Sequence, residues 1–247
     1  MNEQTPSFQM PNVPWADYRL SEEAMNHLSN AIDNQPPEAV THHHLAGNIS
    51  RSVFIKDKNT WLYENVLKEM SEYMFYKDWN NWFEVNVANS KPPTKFYLKE
   101  LWVNYQKQHE FNPSHIHSGG YGYSFVIFIK IPTHWKEQHA LPLSANSNIP
   151  AASDFQFIMG QGHGPASNYN IPLSPEDEGR ILFFPAWLMH QVYPFYGTEE
   201  ERITISGNIV PEEDEMPPRE EREKALEHLQ KQVNSIKDMI KKDTEET

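Results

Sequence analysis

"NPSHIHSGGYGYSFVIFIKIP", residues 112–132, carries two kinds of information. Its second half, Tyr121 to Pro132, is almost entirely apolar or aromatic and ends at a proline. That pattern predicts a strand buried in the middle of a sheet. Its first half places His115 and His117 one residue apart. Alternate residues of a strand share a face, so the two imidazoles would be aimed the same way. Two readings stay open at this point: a pair of metal ligands, or two polar residues in a surface turn.

The β pattern continues on either side. "SRSVFIKD" (50–57) alternates and is rich in β-formers, and "KFYLKELWVNYQ" (95–106) reads as one or two strands. "FQFIM" (155–159) is a further strand, and "GQGHGPASNYNIPLSPEDEG" is turn chemistry with room for one short strand. "RILFFP", "LMHQVYPF" and "RITISGNIV" read as three strands with short joints between them. Short strands at this spacing suggest a sandwich or a barrel. Helices are expected over 21–34, which opens with a Ser cap followed by Glu. A second is expected over 59–82, starting near Asn59-Thr60, with Leu62, Val66, Met70, Met74 and Phe75 at apolar positions. Residues 133–154, rich in Pro, Ser, Asn and His, read as an excursion or lid. The expected organisation is one domain over 1–210, with its core in about 45–210 and the N-terminal helices supporting it. A charged helix or tail follows over 211–247. There Leu226, Leu229, Val233, Ile236 and Ile240 form one apolar stripe. That stripe suits packing on the domain, a homodimer contact with a second copy, or a solitary surface helix.

Composition excludes several classes. The 247-residue chain has a formal charge of −13, from 34 acids and 21 bases, and no basic patch. It would repel a polyanion, so no nucleic-acid partner is expected. It has no cysteine, which removes disulfides, thiolate metal sites and cysteine nucleophiles. Any metal must sit on His, Asp or Glu, which suits iron, manganese or zinc. The N-terminus lacks a signal-peptide pattern, and no apolar run reaches the roughly 18 residues of a membrane span. A soluble, cytoplasmic protein without a membrane partner is expected.

His190, in "GRILFFPAWLMHQVYPFYG", lies between apolar segments, and Arg202 follows in "ERITISGNIV". Arg202 and Thr204 alternate with Ile203 and Ile205, so they share a strand face. If His115, His117 and His190 converge, they make a three-point site with open positions, the mark of a catalytic metal. A buried arginine beside a hydroxyl fits a carboxylate. A metal with a carboxylate clamp one small diacid away points to 2-oxoglutarate. Each residue also has a plainer reading. His190 could be a core histidine satisfied by a carbonyl, Arg202 an exposed strand arginine paired with Glu199 or Glu201, and Thr204 an ordinary β-former. Asp154 and Glu110 are the carboxylates that could stand in at the metal. Trp102, Trp135 and Trp187 read as core. His109, His134, His139 and His163 read as loop residues, as does the internal run His42-His43-His44.

These pieces resemble a known family. "LAGNISR", "LWVNYQKQHEFNPSHIHSGGYGYSFVIFIKIP", "GRILFFPAWLMHQVYPFYG" and "ERITISGNIV" are similar to the 2-oxoglutarate/Fe(II)-dependent dioxygenases, specifically the prolyl-4-hydroxylase-like oxygenases of phages and marine bacteria. The resemblance spans roughly residues 45–210. It implies a mainly β fold with flanking helices around a double-stranded β-helix, a jelly-roll or cupin-like core. It implies Fe(II), 2-oxoglutarate and O2 as cofactor, cosubstrate and oxidant, and hydroxylation of a C–H bond in a small-molecule or peptide substrate, a prolyl side chain among them. Carried over, His115 and His190 take the two histidine positions, and Arg202 and Thr204 the carboxylate clamp. Asn104 falls where related enzymes place a cosubstrate-contacting Asn. Tyr105 and Gln106 are secondary candidates, since only one of them can point the same way as Asn104. The departure is His117, where the family usually has Asp or Glu. Three neutral imidazoles leave a divalent metal at +2, where two imidazoles and a carboxylate leave +1. The rival readings are a three-histidine cupin-type metalloenzyme that does not use 2-oxoglutarate, and a non-catalytic metal-binding β-barrel.

Overall fold

The structure is a computed structural model, and it describes residues 15–35, 45–78, 95–117, 122–160, 167–212 and 231. The expectations for His42–His44, His163 and the C-terminal apolar stripe lie outside these residues.

Among the described residues, ten strands form two antiparallel sheets. They are β1 (Ala16–Arg19), β2 (Arg51–Phe54), β3 (Phe96–Gln106), β4 (Asn112–His115), β5 (Tyr123–Lys130), β6 (Phe155–Met159), β7 (Ser167–Ile171), β8 (Arg180–Pro185), β9 (His190–Val192) and β10 (Arg202–Pro211). The larger sheet has the order β1-β8-β5-β10-β3-β2, and the smaller β4-β9-β6-β7. The facing pair is the double-stranded β-helix expected from the sequence. "KFYLKELWVNYQ" is one long strand rather than two.

β5 is apolar on both faces because both faces are covered. Phe125 and Ile127 join Ile181, Phe183 and Ile205 in a core shared with the helices. Val126 and Phe128 face the other way, against Leu182, Phe184 and the Phe155 and Phe157 of the smaller sheet. Helix α1 (Glu22–Asp33) supplies Ala24 and Leu28 to the first core, one turn apart. It starts where the sequence places it: the Ser21 hydroxyl accepts from the Ala24 N–H at 3.2 Å, and Glu22 and Glu23 complement the dipole of the first turn.

The second helical segment begins close to Asn59-Thr60, as its periodicity predicts, but less regularly, opening with a 3-10 turn over Lys58–Thr60. Asn59 and Thr60 both have positive φ. The Asp57 carboxylate, rather than a residue at 59 or 60, accepts the backbone N–H groups of Leu62 and Tyr63. A π turn over Tyr63–Leu67 then leads into α2 (Lys68–Asp78). The segment 133–154 carries the short helix α3 (Trp135–His139), and its far end is buried, with Ala151, Ala152, Ser153 and Asp154 all out of solvent. No helix among the described residues is long and apolar enough to cross a membrane.

A candidate metal and carboxylate site between the sheets

A cavity of about 350 Å³ is lined by residues of both sheets. The smaller sheet contributes imidazoles. β9 lies between β4 and β6, and its first residue, His190, pairs in register with His115 on one side and Phe157 on the other. His117 follows β4 and is held by its N–H bond to the Ala186 carbonyl at 2.9 Å. The three histidines form one cluster whose ligating nitrogens all lie within 4.8 Å of one another. The Nε2 atoms of His117 and His190 are 3.3 Å apart.

The surroundings define which nitrogen is free. His115 Nδ1 lies 2.7 Å from the Pro113 carbonyl and His190 Nδ1 lies 2.9 Å from the Leu188 carbonyl. A carbonyl only accepts, so each Nδ1 carries the proton and each Nε2 keeps its lone pair. Partners of this kind are what orient a metal-bound histidine. Burial lowers the pKa of all three rings. For His117 it falls to about 4, with the neighbouring His115 adding to the effect. For His115 the Pro113 carbonyl partly opposes the shift. For His190 the fall is large, and both other histidines contribute. All three are neutral at pH 7, the form that binds a metal. His190 is packed between the rings of Phe155 and Phe184. His190 Nε2 keeps its lone pair, so His117 Nε2 at 3.3 Å either donates a proton to it or shares a cation with it, and the convergence of three imidazole nitrogens fits a divalent metal.

The larger sheet contributes the opposite wall. Strand alternation puts Arg202, Thr204 and Ser206 of β10 on the cavity side, paired in register with Gln106, Asn104 and Trp102 of β3. Arg202 is 1% exposed. Its Nη2 donates to the Ser153 carbonyl at 2.9 Å and to the Ser153 hydroxyl at 2.5 Å. Its Nε and Nη1 have no hydrogen-bond partner. Burial lowers its pKa to about 10, with Asp154 opposing the shift, so the guanidinium stays charged at neutral pH. A buried donor left unpaired costs about 1–3 kcal/mol. Two on one guanidinium, at the wall of a cavity, leave a gap with the chemistry of a carboxylate.

Thr204 lies beside it, 3.5 Å from the Asn104 amide nitrogen, and the Asn104 oxygen accepts from the Ser52 hydroxyl at 2.7 Å. Ser52 is absent from the candidates named from sequence. It reaches the site only because β2 pairs with β3 so that Ser52 falls opposite Asn104, and no local motif reports that register. Gln106 lines the same wall, its amide donating to the Glu110 carbonyl.

Tyr105 is placed elsewhere. Alternation turns it to the opposite face, into the core under α1, where its hydroxyl accepts from Gln35 and Arg51 stacks on its ring. Asp154 is buried but bonded to His139 and Asn170, and Glu110 accepts the backbone N–H groups of Ser50 and Lys107, so neither joins the histidines. Arg202 is not the exposed partner of Glu199, which accepts instead from Gln108. Trp102 is buried, as core is expected to be, yet it also lines the cavity with its ring 6.1 Å from that of His117. His139, read from sequence as a loop residue, is tied to Asp154 at 2.8 Å.

Comparison with known proteins now bears on this geometry. Residues 100–208 match the family described as "Putative 2OG-Fe(II) oxygenase". That segment contains the three histidines, Arg202, Thr204 and Asn104. An enzyme using Fe(II), 2-oxoglutarate and O2 is what the matched family denotes. Among solved structures, the 2-oxoglutarate-dependent epimerase SnoN of nogalamycin biosynthesis is similar, with 12% identity and a TM-score of 0.52, covering 81% of this chain and 79% of that one. AviO1 from Streptomyces viridochromogenes Tue57 is 9% identical with a TM-score of 0.50, covering 83% and 93%. A Pseudomonas putida prolyl-4-hydroxylase is 12% identical with a TM-score of 0.45, covering 80% and 92%. At these identities the structural likeness is one of fold. No curated protein matches in sequence.

Proposed function

We propose, from a chain whose residues 100–208 match the 2OG-Fe(II) oxygenase family, that this protein hydroxylates a C–H bond at an iron held by His115, His117 and His190. The observation that carries the reading is the buried guanidinium of Arg202, which lines the cavity the histidines share and has two nitrogens without a hydrogen-bond partner. When bound, Fe(II) with 2-oxoglutarate and O2 supplies the oxidising chemistry, in which 2-oxoglutarate leaves as succinate and CO2 and one oxygen atom enters the substrate.

The chain's own residues orient and insulate. Pro113 and Leu188 hold His115 and His190 in the tautomer whose Nε2 faces the cavity. Arg202 Nε and Nη1 would take the far carboxylate of the cosubstrate, with the Thr204 hydroxyl as a further donor and the Ser52–Asn104 pair backing it. Val126, Phe128, Phe155 and Phe184 make the inner wall apolar, which keeps the ion–carboxylate attraction from being screened by water. Three neutral ligands leave the full divalent charge to meet a dianionic cosubstrate. A small molecule or a peptidyl side chain, prolyl among them, is the substrate class.

His117 at the usual carboxylate position is the observation favouring the rival, a three-histidine metalloenzyme without 2-oxoglutarate. One experiment separates them. Fe(II)-loaded protein titrated anaerobically with 2-oxoglutarate should develop the visible charge-transfer band of the chelate, and Arg202→Leu should weaken that titration by about tenfold or more, the loss of a charged hydrogen bond or two. Metal bound with no band in the parent protein would overturn the oxygenase reading.

A further inference from the structure

The buried end of the 133–154 segment lies directly behind Arg202. Ser153 is fully buried and has φ +75, a left-handed conformation that costs a non-glycine residue energy and persists only where its surroundings hold it. It is pinned there from several sides. Its N–H donates to the Pro194 carbonyl at 2.9 Å, and its hydroxyl lies 3.3 Å from that of buried Thr133. The next residue, Asp154, is fixed by its N–H to the Ala151 carbonyl, by the Tyr193 N–H donating to its carbonyl, and by side-chain bonds to His139 and Asn170. In this conformation Ser153 presents both its carbonyl and its hydroxyl to one atom, Arg202 Nη2. The ring of Phe195 lies 5.0 Å from the guanidinium carbon.

We propose that Ser153 is a positioning residue for the clamp: by accepting both hydrogen bonds of Arg202 Nη2, it stops the guanidinium rotating and commits Nε and Nη1 to the cavity. The inference rests on the reading of Arg202 as the carboxylate clamp. A planar fork held on one side can meet a carboxylate only at one reach from the metal. Ser153 thereby sets the length of diacid accepted, five carbons over six. The segment 133–154, which from sequence looks like a lid, then has a second role as the rear wall of the cosubstrate site. Asp154 opposes the fall that burial causes in the Arg202 pKa; burial raises the pKa of its own carboxyl, and its bonds to His139 and Asn170 and the charge of Arg202 oppose that rise.

The test uses Ser153→Ala and Ser153→Gly in the full chain. Both lose the hydroxyl; only the glycine variant also relieves the left-handed strain, so stability and positioning separate. Expected in both is a roughly tenfold weaker 2-oxoglutarate titration of the Fe(II) protein. The preference for 2-oxoglutarate over 2-oxoadipate should fall, and Zn(II) affinity should stay as in the parent. In the metal-free protein, the 15N-resolved Arg202 Nη resonances, assigned by their loss in Arg202→Leu, should be separate in the parent and averaged in both variants. Unchanged selectivity with unchanged Arg202 resonances would overturn the proposal, as would a fall in cosubstrate affinity matched by an equal fall in Zn(II) affinity. A parent protein that forms no 2-oxoglutarate band would sink the oxygenase reading instead, and the metal-free resonances would still decide whether Ser153 fixes the arginine.

Discussion

At the proposed iron site, His117 is the side chain whose identity matters most. With Nε2 3.3 Å from that of His190 and a pKa lowered to about 4, it offers a neutral lone pair where a carboxylate would bring a charge. His117→Asp should therefore retain the metal but lower the charge of the site by one, weakening anion binding. The expected outcome is a 2-oxoglutarate dissociation constant raised about tenfold, read from the same anaerobic titration; tighter binding would show that the charge argument has the wrong sign. The contrast with Arg202 is instructive. Its neighbours in sequence, Glu199 and Glu201, are the obvious partners, yet the guanidinium is bonded to Ser153, a residue 49 positions away.

At the scale of elements, β10 organises the site, because it pairs with β3 on one side and β5 on the other. Close approach at Gly207 permits that. A Cβ there would lie 2.6 Å from the Phe125 ring and 2.7 Å from the Glu100 carbonyl. Gly207→Ala should destabilise the protein by about 1–3 kcal/mol, the usual effect of overpacking, seen as a lower midpoint in urea with the slope unchanged. An unchanged midpoint would mean that β10 has room to move. The alternation of β10 and β3 also explains which candidates share a wall. Asn104 and Gln106 face the cavity, and Tyr105 between them cannot.

Across the whole molecule, the site depends on two sheets being held at a fixed spacing. Trp15 contributes to this in a way its position at the chain's start conceals. It immediately precedes β1 of the larger sheet, yet its ring packs on Phe157 and Tyr169 of the smaller one, at 5.2 and 5.3 Å. Trp15→Ala should cost about 3–5 kcal/mol of stability and loosen metal binding as well, since Phe157 pairs with His190. Thermal unfolding with and without Zn(II) would show both effects; a stability loss without any change in the Zn(II)-dependent shift would mean that the sheets keep their spacing without it.

Local chemistry was readable from the chain alone. The apolar run of β5, the Ser21 cap of α1, the strand at Phe155–Met159 and the alternation pairing Arg202 with Thr204 all depend on neighbours a few residues away, and periodicity or capping records such neighbours directly. The resemblance of a few motifs brought His115, His117, His190, Asn104 and Arg202 together as candidates. What the linear order left open is set by pairing between distant strands. Ser52 enters the site through the β2–β3 register, and Ser153 through the packing of the 133–154 segment behind β10. The irregular first turn of the second helical segment is set by Asp57 and two left-handed residues. Register and long-range packing are decided by the summed fit of many side chains across the sheets, and no single stretch of sequence contains that sum.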